Sequence, residues 1–137
     1  MKYMLVIYWN IFEHVGRLNN KVVLKEWNRV LKRNGILRIA VPDFDAIVIE
    51  YTKNKSLEKI LGLLYGGQNY EHNFHYCTFT FVFLKNIMEE CGFGNIERYD
   101  WRTFLPENFD DFSRAYLPHM DFENGTLMSL NIVGQKR

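Results

Sequence analysis

The sequence has few cysteines and almost no excess of charge. Its 137 residues include only two cysteines, Cys77 and Cys91, which form no metal-type repeat and follow no secretory signal segment. We therefore expect reduced thiols in the cytoplasm and no disulfide. The formal net charge of +1 predicts neither a nucleic-acid-binding charge field nor an acidic partner.

Long apolar runs, internal repeats and low-complexity tracts are also missing. The first apolar run, residues 4–8, is far too short to cross a bilayer, and we expect no membrane span. Hydrophobic residues make up 47% of the chain and aromatic residues 16%, so a core or a contact surface is built from rings. We expect residues 1–137 to form a single domain that buries about two thirds of the surface of its unfolded chain.

Two apolar runs are joined by an amphipathic segment. Residues 4–8 (MLVIY) and 36–41 (ILRIAV) have the pattern of strands that are buried on both faces. The segment between them has an apolar stripe at helical spacing, formed by Val23, Trp27, Val30 and Leu31. A parallel strand pair needs such a crossover helix, so this stretch is predicted to be a βαβ unit.

Further elements are predicted from capping residues and periodicity. Asp43 or Asp45 starts a helix at about 46–53, and Ser56 caps a second one that ends near Tyr65. Thr78 or Thr80 starts a helix that ends at Glu90. The remaining predictions are a polar and aromatic loop at 66–78, an outer strand at 95–101, a short helix around 109–116 and a closing strand at 126–133.

Three segments carry a family resemblance: residues 8–14 (YWNIFEH), 24–32 (LKEWNRVLK) and 34–43 (NGILRIAVPD). Together they resemble the middle of class I S-adenosylmethionine (SAM)-dependent methyltransferases. In that family the fourth strand ends in His-x-x-Glu-His, and a helix ending Arg-x-Leu-Lys-Pro-Gly-Gly leads into the fifth strand. Here Asn10 stands where the first His often sits, and Arg33-Asn34 replaces the usual Pro-Gly. The resemblance extends more loosely through residues 84–93 to the terminal strand.

The resemblance implies an α/β protein with a truncated Rossmann-like methyltransferase fold. It predicts about four strands, two parallel central strands plus a C-terminal antiparallel pair, with helices on the faces. The family's first three strands, its glycine-rich loop and its acidic ribose-binding residue have no counterpart here, so the chain corresponds to the C-terminal half. Gly62, Gly66 and Gly67 follow a helix, which is the wrong context for a nucleotide loop. We therefore expect the isolated chain to bind SAM weakly or not at all.

The resemblance also implies a site. Ligands of open α/β sheets bind outside the carboxyl ends of the strands, and methyl transfer depends on positioning and, for some acceptors, on a base such as histidine. The implied groups are Trp9 and Asn10 beside the cofactor SAM, Asp43, Gln68 and Tyr76 on the substrate side, and His14, His72 and His75 as candidate catalytic residues.

Structural interpretations compete with these roles. Trp9 could be a packed aromatic residue, Asp43 a helix cap, and His14 a hydrogen-bonding residue at a helix start with Glu13 as its solvated neighbour. His72 and His75, with Glu71 and Cys77, permit a metal interpretation. Short histidine spacings are common in loops and no second cluster completes the set, so we predict no metal site.

Three hypotheses about function follow, and a metal-binding enzyme is the last of them in rank. The first is a truncated SAM-dependent methyltransferase that either needs the missing half from another chain or has lost activity. The second is a non-catalytic interaction module. In the first two, the unpaired edge of the strand at 4–8 is expected to pair with a second copy of the chain, as a homodimer, or with a complementing N-terminal half.

Overall fold

The computed structural model describes residues 4–6, 12–103 and 114–137. Its strands are β1 (Met4–Val6), β2 (Ile36–Pro42), β3 (Phe93–Arg98), β4 (Tyr116–Leu117), β5 (Thr126–Leu127) and β6 (Ser129–Lys136). Its helices are α1 (Asn20–Val30), α2 (Phe44–Asn54), α3 (Leu61–Tyr65) and α4 (Phe81–Glu90), with 3-10 turns at Phe12–His14 and Trp101–Thr103.

The strands form a mixed four-stranded sheet in the order β1-β2-β6-β3. β1 runs parallel to β2, and β6 runs antiparallel to both β2 and β3. A separate antiparallel pair, β4 and β5, was not predicted. The predicted α/β class is confirmed. Of the two strands predicted to be central, β2 has neighbours on both sides, whereas β1 lies at the edge of the sheet that the described residues form.

The main core packs α1 and α4 against the sheet. Leu24 of α1, Leu84 of α4, Leu37 of β2 and Leu130 of β6 are all completely buried. A smaller cluster lies under α2 and α3 and contains Ile47, Ile60 and Met128. Burying one such side chain stabilises the fold by roughly 1.5–3 kcal/mol. These contacts therefore hold the helices against the sheet.

Several predicted element boundaries are confirmed and others are wrong. The Asp43 side chain caps α2, and the Thr80 side chain caps α4. Ser56 caps no helix; it lies in a turn in which the Asn54 side chain accepts a hydrogen bond from the Ser56 N–H (3.0 Å). The next helix begins only at Leu61.

The buried face of α1 and the segment before β4 also differ from what the sequence predicts. Val30 is 52% exposed, and Leu24 takes the buried position in α1. The short helix predicted around 109–116 lies mostly outside the described residues, and Tyr116 begins β4. None of the helices in the described part of the chain has both the length and the apolar character that crossing a bilayer requires.

Candidate functional site

The turn Phe12–His14 follows β1 and is anchored by a buried ring. Phe12 stacks on Phe79 with ring centroids 5.1 Å apart and packs against Trp27 at 5.5 Å. This packing draws the whole turn into the protein, and Glu13 is 0% exposed. The expectation that Glu13 is solvated is therefore wrong, because the aromatic contacts of its neighbour override its polarity.

The loop between α3 and α4 lies across this turn. The Tyr76 N–H donates to the Glu13 carbonyl oxygen (2.8 Å), and the His75 N–H donates to the Tyr65 carbonyl oxygen (3.1 Å). Further along, the Phe44 N–H donates to the carbonyl oxygen of Phe79 (2.9 Å). Because Phe44 follows β2 directly, the loop spans the segments that follow β1 and β2, where open α/β sheets bind their ligands.

The imidazole ring of His14, on the turn, contacts the imidazole ring of His75, on the loop. The rings of His14 and His75 are nearly perpendicular, with centroids 4.9 Å apart and an interplanar angle of 82°. Nδ1 of His14 lies 2.6 Å from the Phe74 carbonyl oxygen, and Nδ1 of His75 lies 2.9 Å from that of Leu63. A carbonyl oxygen can only accept a hydrogen bond, so each Nδ1 carries a hydrogen and each neutral ring has its lone pair on Nε2.

The Glu13 carboxyl group lies beside these rings in a low-dielectric environment. Its Oε1 is 3.9 Å from Nε2 of His75, too far for a hydrogen bond. Neither carboxyl oxygen has a hydrogen-bond partner among the residues that the structure describes. Burial raises the pKa of Glu13 from 4.5 to about 8, against a smaller lowering effect of its own backbone N–H. At neutral pH the carboxyl group is therefore mostly protonated.

Burial shifts the pKa of the neighbouring imidazole, that of His75, in the opposite direction. It lowers the pKa of His75 below its ordinary value, although the hydrogen bond to the Leu63 carbonyl works against this, and the nearby His14 adds a smaller lowering effect. A neutral imidazole beside a protonated carboxyl group is not an ion pair. The short separation between Glu13 and His75 reflects packing and not charge attraction.

A cavity of about 320 Å³ opens beside the histidine pair. Its walls combine aromatic, apolar and small polar side chains: Phe44, Leu64, Tyr65, His75, Tyr76, Cys77 and Thr78. Volumes of roughly 300–1,000 Å³ are typical of small-molecule sites. The cavity could therefore hold a small acceptor with His75 in its wall.

The structure distributes the other sequence-predicted site residues differently. Tyr76 borders the cavity and is 63% exposed. His72 is exposed and lies outside the histidine pair. Gln68 is also exposed, and its amide donates to the Tyr65 carbonyl oxygen (3.2 Å). Trp9 and Asn10 lie outside the described residues, and the roles predicted for all of these remain predictions.

Asp43 is buried and already has two structural partners. Its Oδ1 accepts a hydrogen bond from the Asp45 N–H (3.1 Å), and its Oδ2 lies 3.1 Å from Nη1 of Arg98. The predicted capping role is confirmed. Its predicted substrate-binding role would require one of these partners to be displaced, or the second lone pair of an oxygen to be used.

The described residues do not fit a SAM cradle. A Cβ atom on Gly66 would collide with the backbone oxygen of Asn73, and one on Gly67 would lie 2.6 Å from the Asn73 side chain. These glycines therefore allow their own loop to pack, and they follow α3 and not a strand. No glycine-rich loop follows a strand in the described part of the chain.

Comparisons with known proteins are sparse. No family model matches the chain, and no curated protein matches it. A crystal structure of a SAM-dependent methyltransferase from Thermotoga maritima, described as a possible histamine N-methyltransferase, is similar over 86% of this chain, with 21% identity and a TM-score of 0.45. The chain spans 49% of the length of that protein. This likeness is too distant to establish family or function.

Proposed function

We propose that this chain is the C-terminal half of a SAM-dependent methyltransferase fold and supplies the acceptor side of its active site. The observation that carries the proposal is the meeting of two segments at the carboxyl end of the parallel pair. The turn after β1 supplies His14, and the loop before α4 supplies His75, beside a cavity of about 320 Å³. Open α/β sheets place their reacting groups at this edge.

The sheet order supports the same assignment. The last strand, β6, lies antiparallel between β2 and β3. The resemblance implies two parallel central strands and a C-terminal antiparallel pair, and β3 with β6 forms such an antiparallel pair. The parallel pairing of β1 and β2 supports it as well.

His75 has the protonation state that a base requires. His75 lines the cavity, and its lowered pKa keeps the ring neutral at pH 7. A neutral ring with its hydrogen on Nδ1 can accept a proton at Nε2 from an acceptor hydroxyl or ammonium group. His14 packs edge-on against this ring and orients it. Tyr76, at the cavity border, contacts the acceptor, while His72 and Gln68 could reach it only from the exposed loop.

In this proposal most contacts to SAM come either from residues outside the described ranges or from another chain. In this proposal Trp9 and Asn10 contribute contacts at the methionine end of SAM, as the resemblance implies. The adenosine cradle comes from a complementing N-terminal half that pairs with the open edge of β1. Exposed strand edges bind strands of other chains readily.

Calorimetric titration with SAM tests this division of labour. We expect no saturable binding at micromolar ligand by the chain alone, and saturable binding when it is co-purified with the polypeptide encoded immediately upstream. Saturable micromolar binding by the chain alone would show that the cradle is not missing. No binding by either preparation would contradict the methyltransferase assignment.

A matched pair of variants then tests the acceptor side in the SAM-binding assembly. His75→Gln is expected to lower methyl transfer to small hydroxyl and amine acceptors by about 10²–10⁴-fold, with SAM affinity unchanged. His119→Gln, at an exposed position outside the site, serves as the control. Equal activity of both variants would contradict the role of His75.

The alternative, a non-catalytic interaction module, is favoured by the edge position of β1. In the sheet formed by the described residues, β1 pairs with β2 on one side only. A module of this kind would assemble through that edge without methyl transfer. The titration and the activity comparison separate the two functions.

A further inference from the structure

We propose that Glu13, His14 and His75 form a binding site for a divalent transition-metal ion of the zinc type. One ligand atom from each of these side chains lies within 4.8 Å of the others. Two imidazoles and one carboxylate are the protein ligands of many catalytic zinc sites and of non-haem iron sites. This site goes beyond the proposed function and does not depend on it; because the ion occupies the Nε2 lone pair of His75, that ring acts as a base only in the metal-free chain.

The three ligands are positioned by contacts that do not involve the site itself. Glu13 and His14 are consecutive residues on a 3-10 turn whose first ring, Phe12, is packed against Phe79. His75 is brought opposite them by the hydrogen bond from the Tyr76 N–H to the Glu13 carbonyl oxygen (2.8 Å). The ligand set is therefore held by a buried ring on one side and by a backbone hydrogen bond on the other.

The outer hydrogen bonds of both histidines have the pattern of metal ligands. Metal-ligating imidazoles almost always donate their second ring N–H to a carboxylate, a backbone carbonyl or water, which fixes the tautomer. Here Nδ1 of His14 donates to the Phe74 carbonyl oxygen at 2.6 Å, and Nδ1 of His75 donates to that of Leu63 at 2.9 Å. Both rings therefore present the lone pair of Nε2.

The Glu13 carboxylate provides an independent indication of a cation. It is 0% exposed, and neither of its oxygens has a hydrogen-bond partner in the described part of the chain. Buried polar atoms without partners are rare, and a bound ion is one of their recognised explanations. A bound cation would satisfy both oxygens and stabilise the ionised form of the group.

The spacing needs only a small adjustment to fit an ion. Ligand atoms about 2.1 Å from a tetrahedral zinc ion are roughly 3.4 Å from one another. Oε1 of Glu13 and Nε2 of His75 are 3.9 Å apart. Closing this gap takes about half an ångström, and closing the other distances in the set, which are at most 4.8 Å, takes up to about 1.4 Å; rotation of the side-chain torsions supplies both. Three protein ligands leave one position for water or for an oxygen or nitrogen atom of a ligand in the adjoining cavity.

This set differs from the one that the sequence suggested. His72 and Glu71 are exposed, and neither belongs to the cluster that the structure forms. Cys77 lies in the cavity wall but is not among the three clustered ligands. Only His75 is common to both sets, so variants of the other residues distinguish them.

Titration of the full chain with Co²⁺ and Zn²⁺ tests the site. After treatment with a chelator, we expect Co²⁺ to give the visible absorption bands of a four- or five-coordinate complex with one equivalent per chain, and Zn²⁺ to displace it. Glu13→Gln, His14→Gln and His75→Gln should each weaken binding by at least ~10-fold. His119→Gln and His72→Gln should leave it unchanged. The whole titration is performed without SAM, so its outcome is separate from that of the methyltransferase proposal.

Three outcomes would overturn the proposal. They are no stoichiometric binding by the folded wild-type chain, full binding by a folded Glu13→Gln variant, and loss of binding in His72→Gln or Cys77→Ser, which would identify the loop set instead. If a variant at Glu13 does not fold, wild-type NMR decides the question. Co²⁺ should broaden the imidazole signals of His14 and His75 before that of His72, and broadening of His72 first would contradict the proposal.

Discussion

Glu13 combines full burial with an ionisable group, and this affects how stability depends on pH. Its pKa is about 8 in the folded protein, against 4.5 for the ordinary group. Between these values the folded state holds a proton that the unfolded chain releases. The free energy of unfolding of the metal-free protein therefore falls as pH rises through this range.

His75 changes the pH dependence of stability in the opposite direction, and it does so at lower pH. Its pKa in the folded protein is below the ordinary value of 6.5, so the unfolded chain binds more protons than the folded state at acidic pH. His75 therefore makes the free energy of unfolding rise with pH. This contribution ends near pH 6.5. His14 faces Glu13 from the same turn and His75 faces it from the loop. The range from pH 6.5 to about pH 8 is therefore the one in which Glu13 dominates.

We predict that Glu13→Gln removes this pH dependence. In urea unfolding with a chelator present, the wild-type free energy of unfolding should fall by about 1–2 kcal/mol between pH 6.5 and pH 8, because ionising a buried carboxyl group opposes folding. The Glu13→Gln variant should show a flat profile, and Glu58→Gln, at an exposed position, should follow the wild type. An equal fall in all three proteins would contradict the assigned burial of Glu13.

The residue scale also shows what local sequence can and cannot predict. The family resemblance implied His14, His72 and His75 as candidates, and nothing in the local sequence separated His75, which lines the cavity, from His72, which is exposed. The burial of Glu13 could not be predicted, since it depends on the stacking of Phe12 on the distant Phe79. A charged residue beside a histidine has no local pattern that distinguishes a solvated carboxylate from a buried one.

At the scale of elements, Asp43 joins the start of α2 to the end of β3. One carboxyl oxygen caps the helix, and the other meets Arg98. The Asp43 side chain is 8% exposed and that of Arg98 is 50% exposed, so solvent screens the ion pair. We attribute more of the stabilisation to the cap than to the ion pair.

Two substitutions at this position separate structure from substrate binding. Asp43→Ala removes both contacts and should lower the free energy of unfolding by about 1–2 kcal/mol. Asp43→Asn keeps an oxygen for the cap and should cost less than about 1 kcal/mol. Asp45→Ala, on an exposed residue of the same turn, is the control for the loss of negative charge. Thermal or urea unfolding measures all three.

The outcome also decides the role that the family resemblance assigns to Asp43. If Asp43→Asn unfolds like the wild type but methyl transfer in the assembled protein falls sharply, the residue contacts substrate as well. Unchanged transfer would leave it a purely structural residue. A larger loss of stability in Asp43→Asn than in Asp43→Ala would contradict the greater weight given to the cap.

Helices and strands could be predicted where a capping residue or an alternating apolar pattern determined them. The alternating Met128, Leu130 and Ile132 predicted the closing strand, and all three are buried. The cap at Thr80 predicted the start of α4. The helix expected from Ser56 begins only at Leu61, because the Asn54 side chain accepts from the Ser56 N–H and forms a turn at that point, which the capping pattern of Ser56 does not reveal.

At the scale of the whole molecule, the open edge of β1 is the feature that points beyond the chain. β2 and β6 each pair with strands on both sides, whereas β1 pairs with β2 alone in the described sheet. Edge strands leave backbone N–H and C=O groups that other strands can bind. The parallel pair could be predicted from its two apolar runs. The two-residue strands β4 and β5 could not, because so short a segment carries no periodicity.

Amide hydrogen exchange tests whether this edge is an interface. We predict that the amides of Met4–Val6 exchange more slowly as the protein concentration rises, or when the upstream polypeptide is added, because pairing protects them. The amides of β6 serve as an internal reference, since they are already within the sheet. Exchange at residues 4–6 that is the same under all these conditions, together with a monomer in light scattering, would exclude the edge as an interface.

The most direct test of the feature that both proposals share, the meeting of the turn after β1 with the loop before α4, is X-ray anomalous diffraction from crystals of the chain grown with Zn²⁺. Both the acceptor site and the metal site require the turn after β1 and the loop before α4 to bring Glu13, His14 and His75 together. We predict an anomalous peak between the Glu13 carboxylate and the Nε2 atoms of both histidines. A peak at His72 and Cys77 with Glu13 turned to solvent, or a well-ordered turn and loop without a peak between them, would contradict it.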